Sequence, residues 1–171
     1  LEIGMDHFAL KTDSLFESFK TGKLHRNFMG YSSSKTQLMI GLGVSSISDS
    51  WYSFAQNVKT IEEYYKVLAH DKLPIMRGHL LTNEDLIIRK HILNLMCQFE
   101  TSWENASDYF EEIPEVISNL KEMELDGFII IEKEKIIVTE AGKPFVRNIC
   151  MAFDLRLIRK APETALFSMT I

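Results

Sequence analysis

The chain has 171 residues, 46 % hydrophobic and 25 % charged, with a net charge of −5, which is the make-up of one ordinary globular domain or two small ones and excludes a disordered chain. No apolar run reaches the ~18–20 residues of a membrane helix and no basic, apolar leader opens it. The negative charge opposes nonspecific nucleic-acid binding, which lives on neutralising phosphates. The expectation is a cytoplasmic monomer with no membrane or nucleic-acid partner, its Cys97 and Cys150 reduced thiols.

Residues 2–10 read as a short strand. Thr12 or Asp13 then caps a helix whose Leu15, Phe16 and Phe19 share a face before Gly22 stops it. A polar loop spans Arg26 to Thr36, a buried-looking strand runs from Leu38 to Val44, and an aromatic loop carries Trp51, Tyr52 and Phe54. Thr60 and Glu63 form a capping box for a helix near 60–70, in which Ile61, Tyr64, Tyr65 and Leu68 recur at helical spacing.

Asp71-Lys72-Leu73-Pro74 breaks that helix, and the rhythm changes to helices first and a hairpin later, which sets a boundary near 74. Thr82 caps a helix with the stripe Ile88, Ile92, Leu95, Met96, Phe99. Pro114 opens another with Ile117, Leu120 and Met123, which ends at Asp126-Gly127. Phe128–Ile131 and Ile136–Val138 form a hairpin across Glu132 to Lys135, and a last helix runs from Thr139 and Pro144 toward Leu157. The expected class is α/β over 1–73 followed by α+β over 74–171. Helix, helix, hairpin is the order of a winged helix. Its recognition helix would lie among eight carboxylates and the single base Lys121 between Glu104 and Asp126, which repels DNA.

The run from His25 to Asn57 carries most of the chemistry. Gly41 and Gly43 weaken an apolar strand unless a close backbone approach requires them, either to a ligand or to neighbouring structure. Ser45, Ser46 and Ser48 follow, at the kind of strand end that forms the active face of a parallel α/β barrel. His25 and Arg26 offer heads for carboxylates, while Phe28 and Tyr31 offer faces to a flat ligand. Asp6 and His7 form a polar pair near the end of the first strand. His70, His79 and His91 show no spacing that builds a metal site.

Gly4-Met5-Asp6-His7-Phe8-Ala9-Leu10, the run His25-Arg26-Asn27-Phe28-Met29-Gly30-Tyr31, the run Gly41 to Ser48, and Arg147 to Met151 together resemble the C-terminal part of the oxygen-independent coproporphyrinogen III oxidases, from Gly4 to about Arg156. These are radical S-adenosylmethionine enzymes of heme synthesis. The resemblance implies the last strand–helix units of a radical-SAM (β/α) barrel followed by a winged-helix-like domain. It implies S-adenosylmethionine and a four-iron cluster as cofactors, coproporphyrinogen III as substrate, and an electron donor. A deoxyadenosyl radical removes a propionate β-hydrogen, and loss of carbon dioxide and one electron leaves a vinyl group. The family's cluster sits on three closely spaced cysteines, whereas Cys97 and Cys150 stand fifty-three positions apart. With the apolar opening Leu1-Glu2-Ile3-Gly4, this marks the chain as the back portion of a longer enzyme, inactive alone.

By position, Phe28 and Ile47 correspond to walls of the family's S-adenosylmethionine site, and Met29 stands where the family typically has Gln. His25 and Arg26 are proposed carboxylate partners from charge and position alone. A related heme-chaperone branch usually carries Ser-Asn in place of Met5-Asp6 and Tyr-Trp in place of Phe28-Met29, so this chain sides with the oxidases. A non-enzymatic winged-helix interaction module accounts only for the second half.

Overall fold

Gly4 and Met5 take φ values of +146° and +46°, so the apolar start of the chain does not run on as one extended strand. It turns back: β1 (Glu2–Gly4) pairs antiparallel with β2 (His7–Phe8), and His7 Nδ1–H donates to the Met5 carbonyl at 2.8 Å. This replaces the single strand expected over 2–10. The computed structural model describes residues 1–5 and 7–160, so Asp6 and the tail beyond 160 lie outside the described residues. The chain divides into two units, Leu1–Leu86 and Ile87–Ile171.

In the first unit, the Asp13 carboxylate caps α1 (Ser14–Lys20) by accepting the Leu15 N–H at 2.7 Å. The loop expected over 26–36 is instead a hairpin, because Asn27 Oδ1 accepts the Met29 N–H at 2.9 Å and folds the chain in two residues. Its strands are β3 (His25–Asn27) and β4 (Gly30–Ser32), with Phe28 and Met29 at the tip. A four-stranded antiparallel sheet follows, in the order β5 (Leu38–Met39), β6 (Ile47–Ser50), β7 (Ser53–Asn57), β8 (Ile75–Leu80). All strand pairs among the described residues are antiparallel, unlike the parallel barrel strands expected.

The buried strand expected over 38–44 shrinks to two paired residues, and Ile40 and Leu42 are 67 % and 83 % exposed. The chain leaves the sheet there to loop over buried Asn57, whose amide donates to the carbonyls of Gly41 at 3.2 Å and Gly43 at 2.9 Å. A Cβ on Gly41 would stand 2.6 Å from the Ile47 carbonyl oxygen, so this glycine serves close backbone packing. Between β7 and β8 lies α2 (Ile61–Leu68), where the Thr60 hydroxyl accepts the Glu63 N–H at 3.4 Å. Of its expected stripe, Ile61, Tyr65 and Leu68 are exposed.

The segment after Pro74 opens with a strand, not a helix. β8 pairs along β7 from Asn57↔Ile75 to Ser53↔Leu80, which keeps 75–80 in the first sheet and moves the boundary from 74 to 86/87.

α3 (Asn83–Gln98) starts from a reciprocal cap: Asp85 Oδ2 accepts the Thr82 N–H at 2.8 Å, and the Thr82 hydroxyl accepts the Asp85 N–H at 3.2 Å. The second unit continues with β9 (Glu100–Ser102), α4 (Ile113–Asn119) and α5 (Lys121–Leu125), then β10 (Ile129–Ile131) and β11 (Lys135–Val138). The helix expected past Pro114 is broken in two at buried Leu120. The hairpin is joined by β9 in a sheet ordered β10-β11-β9. The last expected helix also divides, into α6 (Val146–Met151) and α7 (Leu155–Lys160).

Leu95, Val116, Leu120, Ile136, Ile149 and Phe153 form a core with side chains at most 1 % exposed. At its centre, the fully buried His91 donates from Nε2 to the Asp108 carbonyl at 2.7 Å, so its Nδ1 accepts from the Thr101 hydroxyl at 2.7 Å. Phe153 stacks on the ring at 5.5 Å.

Candidate functional site

The register of three strands builds the site. Ile47 pairs with Gln56, which pairs with Arg77; Asp49 pairs with Phe54, which pairs with His79. Side chains alternate across a strand, so these two cross-strand rows share one face of the sheet. A groove of about 470 Å³ lies on it, lined by Ile47, Phe54, Gln56, Arg77 and His79, with Ala55 and Gly78 adding backbone and Phe28 arriving from the hairpin tip. Its volume suits a small molecule.

The groove has two ends. Phe28, Ile47 and Phe54 make an apolar wall. At the polar end Arg77 Nε–H donates to Gln56 Oε1 at 2.8 Å, and Gln56 Nε2 in turn donates to the Ser45 carbonyl at 3.2 Å. His79 Nε2 lies 3.3 Å from Oδ2 of Asp85, the buried carboxylate that also caps α3.

Of the residues singled out by sequence, Phe28 and Ile47, nineteen positions apart, meet in this groove. Met29 sits beside Phe28 at the tip, exposed and outside the lining. His25 is buried on β3. Arg26 holds its guanidinium 4.6 Å over the Tyr31 ring, with a buried Nη1 that has no hydrogen-bond partner. His7 meets the edge of Tyr31 at 5.1 Å. Neither His25, Arg26 nor His7 lines the groove.

The serines turn inward: Ser46 Oγ donates to the Leu42 carbonyl at 2.5 Å, and Ser48 Oγ accepts the Gly41 N–H at 3.0 Å. Their hydroxyls hold their own loop. Cys97 and Cys150 are buried in the second unit, and among the described residues no three His, Cys, Asp or Glu side chains are grouped to hold a metal ion.

Sequence reasoning missed Phe54, Gln56, Arg77 and His79 as a set. The available signal was the period-two spacing of Phe54 with Gln56 and of Arg77 with His79. It was obscured because Asp71-Lys72-Leu73-Pro74 reads as a breaker and the stretch after it as the opening of a helical region.

No protein-family model matches the chain. It is 38 % identical to an oxygen-independent coproporphyrinogen III oxidase of Escherichia coli over 93 % of its own length and 36 % of the relative's. A Synechocystis protein of that name is 35 % identical over 99 % of this chain and 38 % of the relative. One from Thermostichus vulcanus is 36 % identical over 95 % and 52 %. A solved structure, the coproporphyrinogen III oxidase of Escherichia coli described as a radical SAM enzyme, matches with a TM-score of 0.83 and 36 % identity over 91 % of this chain and 37 % of that one. The chain thus spans between about a third and a half of the length of these relatives. Across nine-tenths or more of its own length it is homologous to the oxygen-independent coproporphyrinogen III oxidases.

Proposed function

We propose that the chain serves an oxygen-independent coproporphyrinogen III oxidase, in which two propionates of coproporphyrinogen III are oxidatively decarboxylated to the vinyls of protoporphyrinogen IX. The first unit is the end of the radical-SAM barrel domain. The second, with its order of helix, strand, two helices and hairpin, is a winged-helix-like domain. One observation carries this reading: Phe28 and Ile47, which the resemblance assigns to an S-adenosylmethionine site, line the same groove.

The groove residues fit an adenosyl group. Phe28, Phe54 and Ile47 offer apolar faces to a purine and exclude water, while Arg77 and His79 offer polar heads beyond them. When bound in such an enzyme, S-adenosylmethionine supplies the hydrogen-abstracting group. The residues described here do not fit an iron–sulfur cluster, since two buried cysteines fifty-three positions apart provide no thiolate set. This chain therefore contributes to the adenosyl and substrate side of the chemistry.

Met29 is the thioether neighbour of the adenosyl wall, able to fill volume but not to replace an amide's hydrogen bonds. His25 and Arg26 remain the proposed carboxylate partners. The half-buried Arg26, with its unmatched Nη1 donor, supports that role better than the enclosed His25 does.

An electron donor and a cytoplasmic, monomeric setting complete the reading. Among the described residues no helix is long and apolar enough to cross a membrane. The carboxylates of α4 and α5, Glu115, Glu122 and Glu124, count against nucleic acid. The heme-chaperone alternative draws no support from relatives named as oxidases.

The test is calorimetric titration of the 171-residue chain with S-adenosylhomocysteine. Saturable binding is expected in the wild type. In Ile47→Asp it should fall by at least about 100-fold, because a charge in the apolar wall costs several kcal/mol. Equal affinity in the two proteins would remove the groove from the adenosyl site.

A further inference from the structure

We propose that Asn57 is a positioning residue for the apolar wall of the groove: through the loop it holds, it sets where Ile47 stands. The inference rests on the adenosyl reading of the groove and adds to it a residue outside the groove lining.

Asn57 closes β7, one position beyond Gln56, and is 7 % exposed. Its side-chain nitrogen reaches back 14 positions to the Gly43 carbonyl at 2.9 Å and 16 positions to the Gly41 carbonyl at 3.2 Å. A primary amide has two N–H donors, and both go to this one loop. A stretch that leaves a sheet carries backbone groups that need new partners. Here side chains supply them. The Gly41 N–H donates to Ser48 Oγ at 3.0 Å, the Gly43 N–H to the Tyr64 hydroxyl at 3.1 Å, and Ser46 Oγ–H to the Leu42 carbonyl at 2.5 Å.

The loop so held ends on Ile47, and two connections tie that end to Asn57. The Asn57 N–H donates to the Ser46 carbonyl at 2.9 Å, while the Ser45 N–H donates to the Val58 carbonyl at 2.8 Å, so the residues just before Ile47 are fastened to the end of β7. From the other side, a Cβ on Gly41 would stand 2.6 Å from the Ile47 carbonyl oxygen. The peptide that Asn57 grips at Gly41 is therefore the surface on which the Ile47 peptide rests. Without the amide, Gly41 and Gly43 lose their carbonyl partners and Ile47 loses that support. A site holds its groups to within about 0.5 Å only when a further layer of contacts locks them. For Ile47 that layer is Asn57 and its loop.

The test uses the 171-residue chain with its isoleucine methyl groups isotopically labelled, the Ile47 signal being assigned by its loss in Ile47→Val. Asn57→Asp keeps the shape and replaces the donors with oxygens that face two carbonyls. Asn57→Ser is the milder variant and decides the matter if Asn57→Asp does not fold. In each folded variant the Ile47 methyl resonance should move, and S-adenosylhomocysteine affinity should fall by about tenfold, the scale of one or two lost hydrogen bonds. Ile3→Val, which thins a buried site of the same unit outside the groove, should lower the urea midpoint and leave both readings unchanged.

A folded Asn57 variant that is less stable but keeps the wild-type Ile47 resonance and nucleoside affinity would overturn this inference and leave the adenosyl groove standing. Failure of the wild type to bind S-adenosylhomocysteine would overturn the adenosyl reading instead, and the Ile47 resonance would still decide whether Asn57 places that side chain.

Discussion

The two units use similar apolar residues in opposite ways. In the second, Leu95, Leu120, Ile136, Ile149 and Phe153 are enclosed, and even a histidine is taken fully inside with both ring nitrogens matched. In the first, Phe28, Ile40, Leu42, Ile75 and Leu80 reach the surface, and the fold rests on short strands, tight turns and glycine contacts. The lesson is that hydrophobicity marks a core only where another element covers it: Ile136, on a strand of four residues, is enclosed, whereas Phe28 at a hairpin tip is left as part of the wall of a groove.

The largest expected effect that would break this contrast lies in the second unit. Phe153→Ala should lower its stability by about 3–5 kcal/mol, because it empties a fully buried site stacked on His91. Denaturant unfolding followed by near-ultraviolet circular dichroism reads this. A loss under about 1 kcal/mol would mean that the core is looser than its burial indicates.

A smaller effect, of a different kind, is expected from Gly41→Ala. Its methyl would sit 2.6 Å from the Ile47 carbonyl, forcing a backbone shift that costs about 1–3 kcal/mol. Because Ile47 lines the groove, nucleoside affinity should fall along with stability. Unchanged binding in a destabilised variant would uncouple the loop from the groove.

The smallest effect is a pH dependence of the second unit. Burial holds His91 below its ordinary value of 6.5, with the Asp108 carbonyl and charge opposing the shift and Lys90 adding to it. A folded pKa below the unfolded one means that the unfolded chain takes up the proton first. The stability due to neutral His91 is therefore whole above about 6.5 and is lost as pH falls from there through the lowered folded value. Asp108, held below 3.8 chiefly by its hydrogen bond from Lys90, titrates in a separate and more acidic window. Comparing urea midpoints at about pH 7.5 and 5.5 should show a drop in the wild type and a flatter response in His91→Gln. Parallel slopes would assign the acid sensitivity to other groups.

How far the sequence foretold each unit follows from the same contrast. Asp13, Thr60 and Thr82 were legible as caps because capping is local chemistry, and the α3 stripe was legible because 3.6-residue periodicity needs no partner to be seen. The Phe128–Val138 hairpin was visible for the same reason, whereas β9 as its third strand depends on pairing between Glu100 and Ile137 and left no local mark. In the first unit, Phe28 and Ile47 came from family resemblance. Arg77 and His79 were out of reach, since they become site residues only through the register of β8 on β7. Gly41 was noticed correctly as a close-approach position, but what approaches it is the chain's own backbone.

The first sheet ends on β8, which pairs with β7 along one edge. Ile75, Met76 and Leu80 are exposed on that strand, and Arg77 is its one always-charged side chain. A terminal strand with so little charge and no proline within it presents a template for another extended segment. Colloidal behaviour is thereby written into the same strand that carries the polar heads of the groove. Removing the charge of Arg77 is therefore expected to raise self-association with concentration, which light scattering of Arg77→Gln would read.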